Sequence, residues 1–284
     1  MTWLRQLNNT PANTIALSPN GDALALLDDH RLHVVTPSGA WQAALPDGLS
    51  LACTTDRLYA TDRGGAVTAW RLGSGERLAR FQHHASSTLP RRAALPNGEL
   101  VIARSGRFDV VDGLTGTVRR TIDARAPMMH YRNGAVIDPD GTHLVVVGGG
   151  PVDNGWGEVH TLLEDTPPVM INSGYTLEAV AVASGGQIVA EIDDYLGLHA
   201  FQRTIPDSGR DLWACGSSVV YVLQDSGVMR LSPSLPDHAW QLPGARGLTA
   251  SEDGRWVAVV QGGCARLAAW PGPLWEPRPG SVGA

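Results

Sequence analysis

Apolar residues fall along this chain in runs of four or five, each preceded by one tight turn and followed by another. The runs start at Ala23 (ALALL), Leu100 (LVIAR), His143 (HLVVV), Gln187 (QIVAE) and Trp256 (WVAVV). Runs so short, bounded by turn residues, predict buried β-strands and not helices. The turn ahead of them reads Ser18-Pro19-Asn20-Gly21, Leu95-Pro96-Asn97-Gly98, Asp138-Pro139-Asp140-Gly141 and Ser251-Glu252-Asp253-Gly254. Proline presets the first central position of such a turn, and Asn or Asp followed by Gly takes its positive-φ positions. Looser copies stand at Thr55-Asp56-Arg57, Ser184-Gly185-Gly186 and Gly216-Ser217.

A second turn follows each run, often with an aspartate, as at Asp28-Asp29, Asp62-Arg63-Gly64-Gly65, Asp193-Asp194 and Asp225-Ser226-Gly227. Third strands come next (RLHVV from Arg31, AVTAW from Ala66, RFDVV from Arg107), and more polar fourth strands close several units, as at Glu76–Phe81 and Thr117–Ile122. The first-turn landmarks recur every 30 to 45 residues, with a mean of about 39, which is close to the four-strand period of a propeller blade. Seven landmarks predict an all-β fold: a seven-bladed β-propeller of four-stranded antiparallel blades, forming one domain over residues 1–272. Residues 273–284 read as a proline-rich tail. The segment Thr2-Trp3-Leu4-Arg5-Gln6-Leu7 has no blade of its own. It is expected to pair into the last blade and close the ring, which would protect the sheet edges.

Two units carry a family resemblance. Leu58 to Glu76 is similar to a WD-repeat, with Asp62 in the turn, Trp70 at the tryptophan position and Gly75-Glu76 leading into the fourth strand. His83-His84 follows near where that family places its Gly-His. Val110-Val111-Asp112-Gly113-Leu114-Thr115-Gly116-Thr117-Val118 resembles the quinoprotein-type repeat. The Trp-Asp pair itself is missing, since Arg71 follows Trp70. The resemblance, to a divergent bacterial form of these repeats, implies the propeller. It does not imply an activity, because that fold hosts scaffolds, sensors and enzymes alike.

Charge changes the picture by exclusion. The net charge is -6, with no clustered cations to track a phosphate backbone, so nucleic acid is not an expected partner. All 22 cationic side chains are arginine. Schiff-base chemistry, a Walker lysine and a Ser-Lys dyad are therefore excluded. No window is apolar for long enough to make a membrane helix, and the N-terminus lacks the apolar stretch of a signal peptide. Cys53, Cys215 and Cys264 show no metal-ligand spacing. Together these points lead us to expect a cytoplasmic protein with reduced thiols, no cofactor and no membrane association, monomeric on its own.

Candidate chemistry is sparse. His33, His160 and His199 share a position on third strands of separate blades, too far apart to converge on one metal. His83 and His84 are consecutive, and on an extended chain they would point to opposite sides. There is no Gly-x-Ser-x-Gly elbow for nucleophilic catalysis. Asp62, Asp153, Asp193 and Asp225 occupy turns where an aspartate normally bonds its own backbone. The segment Gly148–Gly157 replaces a short turn with about ten residues, and it includes Asp153 and Trp156.

These features converge on one face of the ring. The second-turn loops and the connections between blades should lie together, and they carry the larger and more varied side chains. Trp156, Asp153, His83, His84, Arg91, Arg92, Met129, Tyr131 and Tyr195 are the residues expected to contact a protein or peptide partner, being mostly types enriched at interface hot spots. The expected role is a non-catalytic binding scaffold. The alternative is a small-molecule sensor or metal-dependent lactonase or hydrolase working in the central channel. A ring of convergent carboxylates in that channel would favour the alternative.

Overall fold

In the computed structural model, residues 12–270 are described, apart from 29, 86, 105–106, 125–134, 150–154, 174–178, 193–194, 199–202, 207–210, 217–218 and 233–236. All the sheets are antiparallel meanders. The first contains β1 (Thr14–Leu17), β2 (Leu24–Leu27), β3 (Arg31–Thr36) and β4 (Gly39–Ala44). The next has β5 (Gly48–Cys53), β6 (Arg57–Asp62), β7 (Ala66–Arg71) and β8 (Arg77–Gln82). A three-stranded sheet follows, made of β9 (Glu99–Arg104), β10 (Arg107–Asp112) and β11 (Val118–Asp123). Then come β12 (Ala135–Ile137), β13 (His143–Gly149), β14 (Gly155–Thr161) and β15 (Val169–Ser173). The set β16 (Ala179–Val182), β17 (Ile188–Ile192), β18 (Tyr195–Leu198) and β19 (Arg203–Pro206) is followed by β20 (Asp211–Cys215), β21 (Val219–Gln224), β22 (Gly227–Leu231) and β23 (His238–Gln241). Last are β24 (Arg246–Ala250), β25 (Trp256–Gln261) and β26 (Cys264–Ala269), again a sheet of three.

The apolar runs are explained by burial on both faces of each sheet. Side chains alternate along a strand, so one run feeds two cores. In β2, Ala25 and Leu27 pack with Leu51, Leu58 and Trp70 of the second sheet, while Leu24 and Leu26 pack with Ala258, Val260 and Leu267 of the last. Sheets therefore stack face to face around an axis, and apolar packing between the last and first sheets completes the circle.

Four of the first turns bury their first residue and satisfy the backbone there in one repeated way. Ser18 Oγ accepts from Ala23 N at 2.8 Å, Thr54 Oγ1 from Arg57 N at 2.9 Å, and Ser251 Oγ from Trp256 N at 3.1 Å. Asp138 extends the device. Its Oδ1 accepts from Thr142 N and His143 N at 2.8 and 2.9 Å. Its Oδ2 accepts from Thr142 Oγ1 and from Gly185 N and Gly186 N of the next sheet, at 2.9, 3.0 and 3.2 Å.

The expected architecture is corrected on two points. Seven alike four-stranded blades do not form, because among the described residues six sheets present an innermost strand to the axis: β1, β5, β12, β16, β20 and β24. Against β9 the chain runs as the irregular segment 88–94, tied by single bridges Thr88↔Ala103 and Ala94↔Leu100. Pro90 has no N–H to give a ladder, and Arg92 sits at φ 55°, outside the strand region. The turn at Leu95–Gly98 thus marks a unit without a regular inner strand, and the ring has six regular blades where seven were expected. Closure is the second point. No strand pairing joins the last sheet to the first among the described residues, and the closing segment expected at 2–7 lies outside them. The first and last sheets instead meet through packing and through single bonds, Ala12 N to Gly263 O (2.7 Å) and Glu252 N to Pro19 O (2.7 Å).

Asp138 yields a stability prediction. Burial pushes its carboxyl up, but the bonds from His143 and Thr142 outweigh burial and hold it below the ordinary 3.8. A depressed carboxylate stabilises the fold above its unfolded value, so this contribution is complete above pH 3.8 and fades as pH falls below it. Asp138→Ala should cost about 3 kcal/mol and Ser251→Ala about 1 kcal/mol, because the first orphans several buried donors and the second one. Urea unfolding at pH 7 measures both.

Candidate functional site

The connection from β8 toward β9 carries four of the residues expected to bind a partner, and it spans from the loop face into the channel. It leaves β8 by crossing the second turn of its own sheet, where His83 N donates to Gly65 O at 2.8 Å. Gly65 has φ +85°, and a Cβ there would stand 2.1 Å from His84 O, so only glycine allows the crossing. Gly227 plays the same part under Trp240 O in the sheet of β20–β23.

Beyond β8 the chain is no longer extended, and the two histidines do not diverge. Their rings meet edge to face with centroids 4.9 Å apart. His83 lies against Asp109, a carboxylate in the middle of β10 with a side chain only 1% exposed, and a ring nitrogen of His84 is within 4.8 Å of it. Asp109 accepts from Arg104 Nε at 2.6 Å and from Thr121 Oγ1 at 2.7 Å, and His83 Nε2 lies 3.2 Å from its Oδ2. Burial raises the Asp109 carboxyl, but the bonds from Arg104 and Thr121 prevail and hold it below the usual range. Burial lowers His83, and the opposing Asp109 charge does not restore it. The other ring nitrogen, Nδ1, is 2.9 Å from Ser87 Oγ.

At its far end the segment is pinned between neighbours. Leu89 N donates to Ser50 Oγ of β5 (2.9 Å), and Ile137 N of β12 donates to Arg91 O (3.1 Å). Arg91 and Arg92 then reach across the axis. Arg91 bonds Asp211 and the carbonyl of Leu212. Arg92 bonds Glu252 at 2.7 Å through Nε and the carbonyl of Ala214 at 2.6 Å. Both guanidinium carbons lie over Trp213, 5.7 and 4.7 Å from the ring centre. Burial, aided by the Arg92 charge, pushes Arg91 down to about 9, and the ion pair with Asp211 works the other way. The guanidinium stays charged at neutral pH. Around these groups lies a channel cavity of about 210 Å³, walled elsewhere by small or apolar residues such as Ala16, Ala52 and Leu248.

Placement of the remaining expected residues is mixed. Trp156 lies on β14, in register with Gly148 and Asn172, and Tyr195 begins β18 opposite Pro206. Asp153, Met129 and Tyr131 lie outside the described residues. His33 pairs locally with Asp28 (3.2 Å) and His160 with Glu158 (3.0 Å), each within its own sheet. The thiols of Cys53 and Cys215 are buried and free, and burial pushes Cys53 up to about 12, so neither is a ready nucleophile. Sequence reasoning missed Asp109, Asp211, Trp213 and Glu252. Asp109 did leave a signal, since it is the lone carboxylate inside the apolar run RFDVV.

No protein-family profile matches the chain, and no curated protein matches it in sequence. Its fold is similar to that of a chain in the crystal structure of a mitotic checkpoint complex. That match has a TM-score of 0.69 at 16% identity over 94% of this chain and 90% of the other. It is also similar to Kluyveromyces lactis Hsv2 (TM-score 0.63, 11% identity, 90% and 92% covered). Kluyveromyces marxianus Hsv2 matches in the same way (0.60, 11%, 91% and 92%). At such identities the likeness establishes a WD-repeat-like β-propeller fold.

The arginine crossing predicts a large asymmetry between single and paired changes. Arg91→Met should destabilise by roughly 3–5 kcal/mol, because it leaves Asp211 buried without its countercharge. Adding Asp211→Asn should restore much of that loss. A double-mutant cycle in chemical unfolding measures the coupling.

Proposed function

We propose that this propeller is a non-catalytic scaffold that holds a protein or peptide on its loop face. The observation that carries this reading is the state of the channel. Among the described residues that line the channel cavity, the carboxylates Asp211 and Glu252 are each committed to an arginine, Arg91 and Arg92. A channel hydrolase would need convergent carboxylates free to take an ion. Here the same groups brace the ring, which leaves the loop face for recognition.

Further support comes from how that face is built. Second turns are bonded to the connections between sheets, through Leu45 N to His30 O, His83 N to Gly65 O and Leu242 N to Ser226 O. Loops fixed in this way form a rigid, varied surface on a packed scaffold, the usual place for binding residues. The fold is also shared with a chain found in a checkpoint complex, which is consistent with a role in assembly. Buried free thiols at Cys53 and Cys215 fit the reducing, cytoplasmic setting that this reading assumes.

The test compares faces. A loop-face variant, Trp156→Ala with Arg63→Glu, is set beside an opposite-face control, Asn97→Arg with Asp140→Arg. Each bait is used for affinity capture with quantitative mass spectrometry, and each is checked by thermal melting. The expected result is a specific partner recovered equally by wild type and control, and reduced about tenfold or more by the loop-face variant at unchanged melting temperature. Equal recovery by both variants, or loss in the control alone, would overturn the assignment of the face.

A further inference from the structure

We infer that His83, His84 and Asp109 form a binding site for a divalent transition metal ion of the zinc type, with Ser87 orienting His83. One ligand atom from each residue lies within 4.8 Å of the other two. Two donors held about 2.0–2.1 Å from a tetrahedral zinc stand roughly 3.4 Å apart. His83 Nε2 and Asp109 Oδ2, at 3.2 Å, already have that separation. His84 is exposed, so its ring can turn to bring a nitrogen within reach.

The geometry leaves one buried ring nitrogen of this cluster without a hydrogen bond. His83 has a side chain 5% exposed, and its Nε2 forms no hydrogen bond although a carboxylate oxygen is 3.2 Å away. When Nδ1 donates to Ser87 Oγ, Nε2 turns a lone pair toward an ionised Asp109. In that tautomer two electron-rich atoms face each other in a buried place and repel, and a metal between them turns the repulsion into two bonds. A partner on the second ring nitrogen is the usual support of a metal-bound histidine, and Ser87 supplies it.

Arg104 opposes the ion. It shares Oδ2 of Asp109 at 2.6 Å, so a metal there feels a neighbouring positive charge. Its side chain is 26% exposed and lies at the end of β9, from which it can swing into solvent. The site should therefore bind with moderate affinity, and that affinity should be set partly by Arg104. Three protein ligands leave the fourth position of a tetrahedral ion to water.

The experiment is a titration of the full chain, purified without an affinity tag, with Co²⁺ followed by Zn²⁺ competition. The expected result is one Co²⁺ per chain, with the intense visible bands of a four-coordinate site that Zn²⁺ abolishes. His84→Ala should weaken uptake more than tenfold, and Ser87→Ala about tenfold. Arg104→Gln should tighten it, since it removes a like charge. His83→Ala should abolish uptake. His84 is exposed, so its substitution tests the site without threatening the fold, and thermal melting of each variant separates lost ligands from lost structure. Absence of Co²⁺ uptake by the wild type would overturn the inference. So would uptake that His84→Ala leaves unchanged, or binding that Arg104→Gln weakens.

Discussion

At four of the inner turns a side-chain oxygen of the first residue, from Ser18, Thr54, Asp138 or Ser251, bonds the N–H that opens the next strand, and these bonds hold the inner ends of their sheets. The first residues of these turns, Ser18, Thr54, Asp138 and Ser251, are buried, so backbone groups there need partners from the chain itself. Ser18, Thr54 and Ser251 provide one each, and Asp138 provides for its own turn and for Gly185 and Gly186 of the neighbouring sheet. Once the inner ends are held, the twist of each sheet sets where its outer strands go. The apolar faces then fall opposite one another, and the cores between sheets fill with alternating Leu, Val and Ala side chains.

One sector departs from this scheme and gains a different support. Segment 88–94 cannot pair as a strand along its length, and in place of ladder bonds it extends two cations across the channel. A buried ion pair adds little net stability once its desolvation is counted, but breaking one is expensive. Its effect is mainly on specificity, because Arg91 and Arg92 accept only an arrangement that brings Asp211 and Glu252 opposite them. Arginine suits this place. Its guanidinium can bond carboxylate and carbonyl together while its face rests on Trp213.

The regular parts of the fold were legible because they rest on local rules. Pro-Asn-Gly and Pro-Asp-Gly turns announce themselves, and runs such as ALALL can only be strands buried on both faces. The count of blades failed where a landmark and its strand came apart. Gly98 marks a turn as clearly as Gly21 does, yet the segment before it holds Pro90 and a positive-φ Arg92. The candidate site was half legible for a similar reason. His83 and His84 were visible, but an alternation rule for extended chain placed them on opposite sides, and the chain is not extended there. Nothing local links Arg91 to Asp211, since a bond across an axis leaves no mark on spacing.

The arginine crossing also bears on the order in which this molecule can be made. Arg91 and Asp211 are 120 residues apart, and Arg92 and Glu252 are 160 apart. During synthesis the arginines emerge long before their carboxylates, and they must wait as solvated ions beside a partly built channel. Contacts of such long range are the last to be rewarded in folding. The two crossings therefore act as a completion check: Arg91 and Arg92 find their carboxylates only after the sheets that carry Asp211 and Glu252 have arrived.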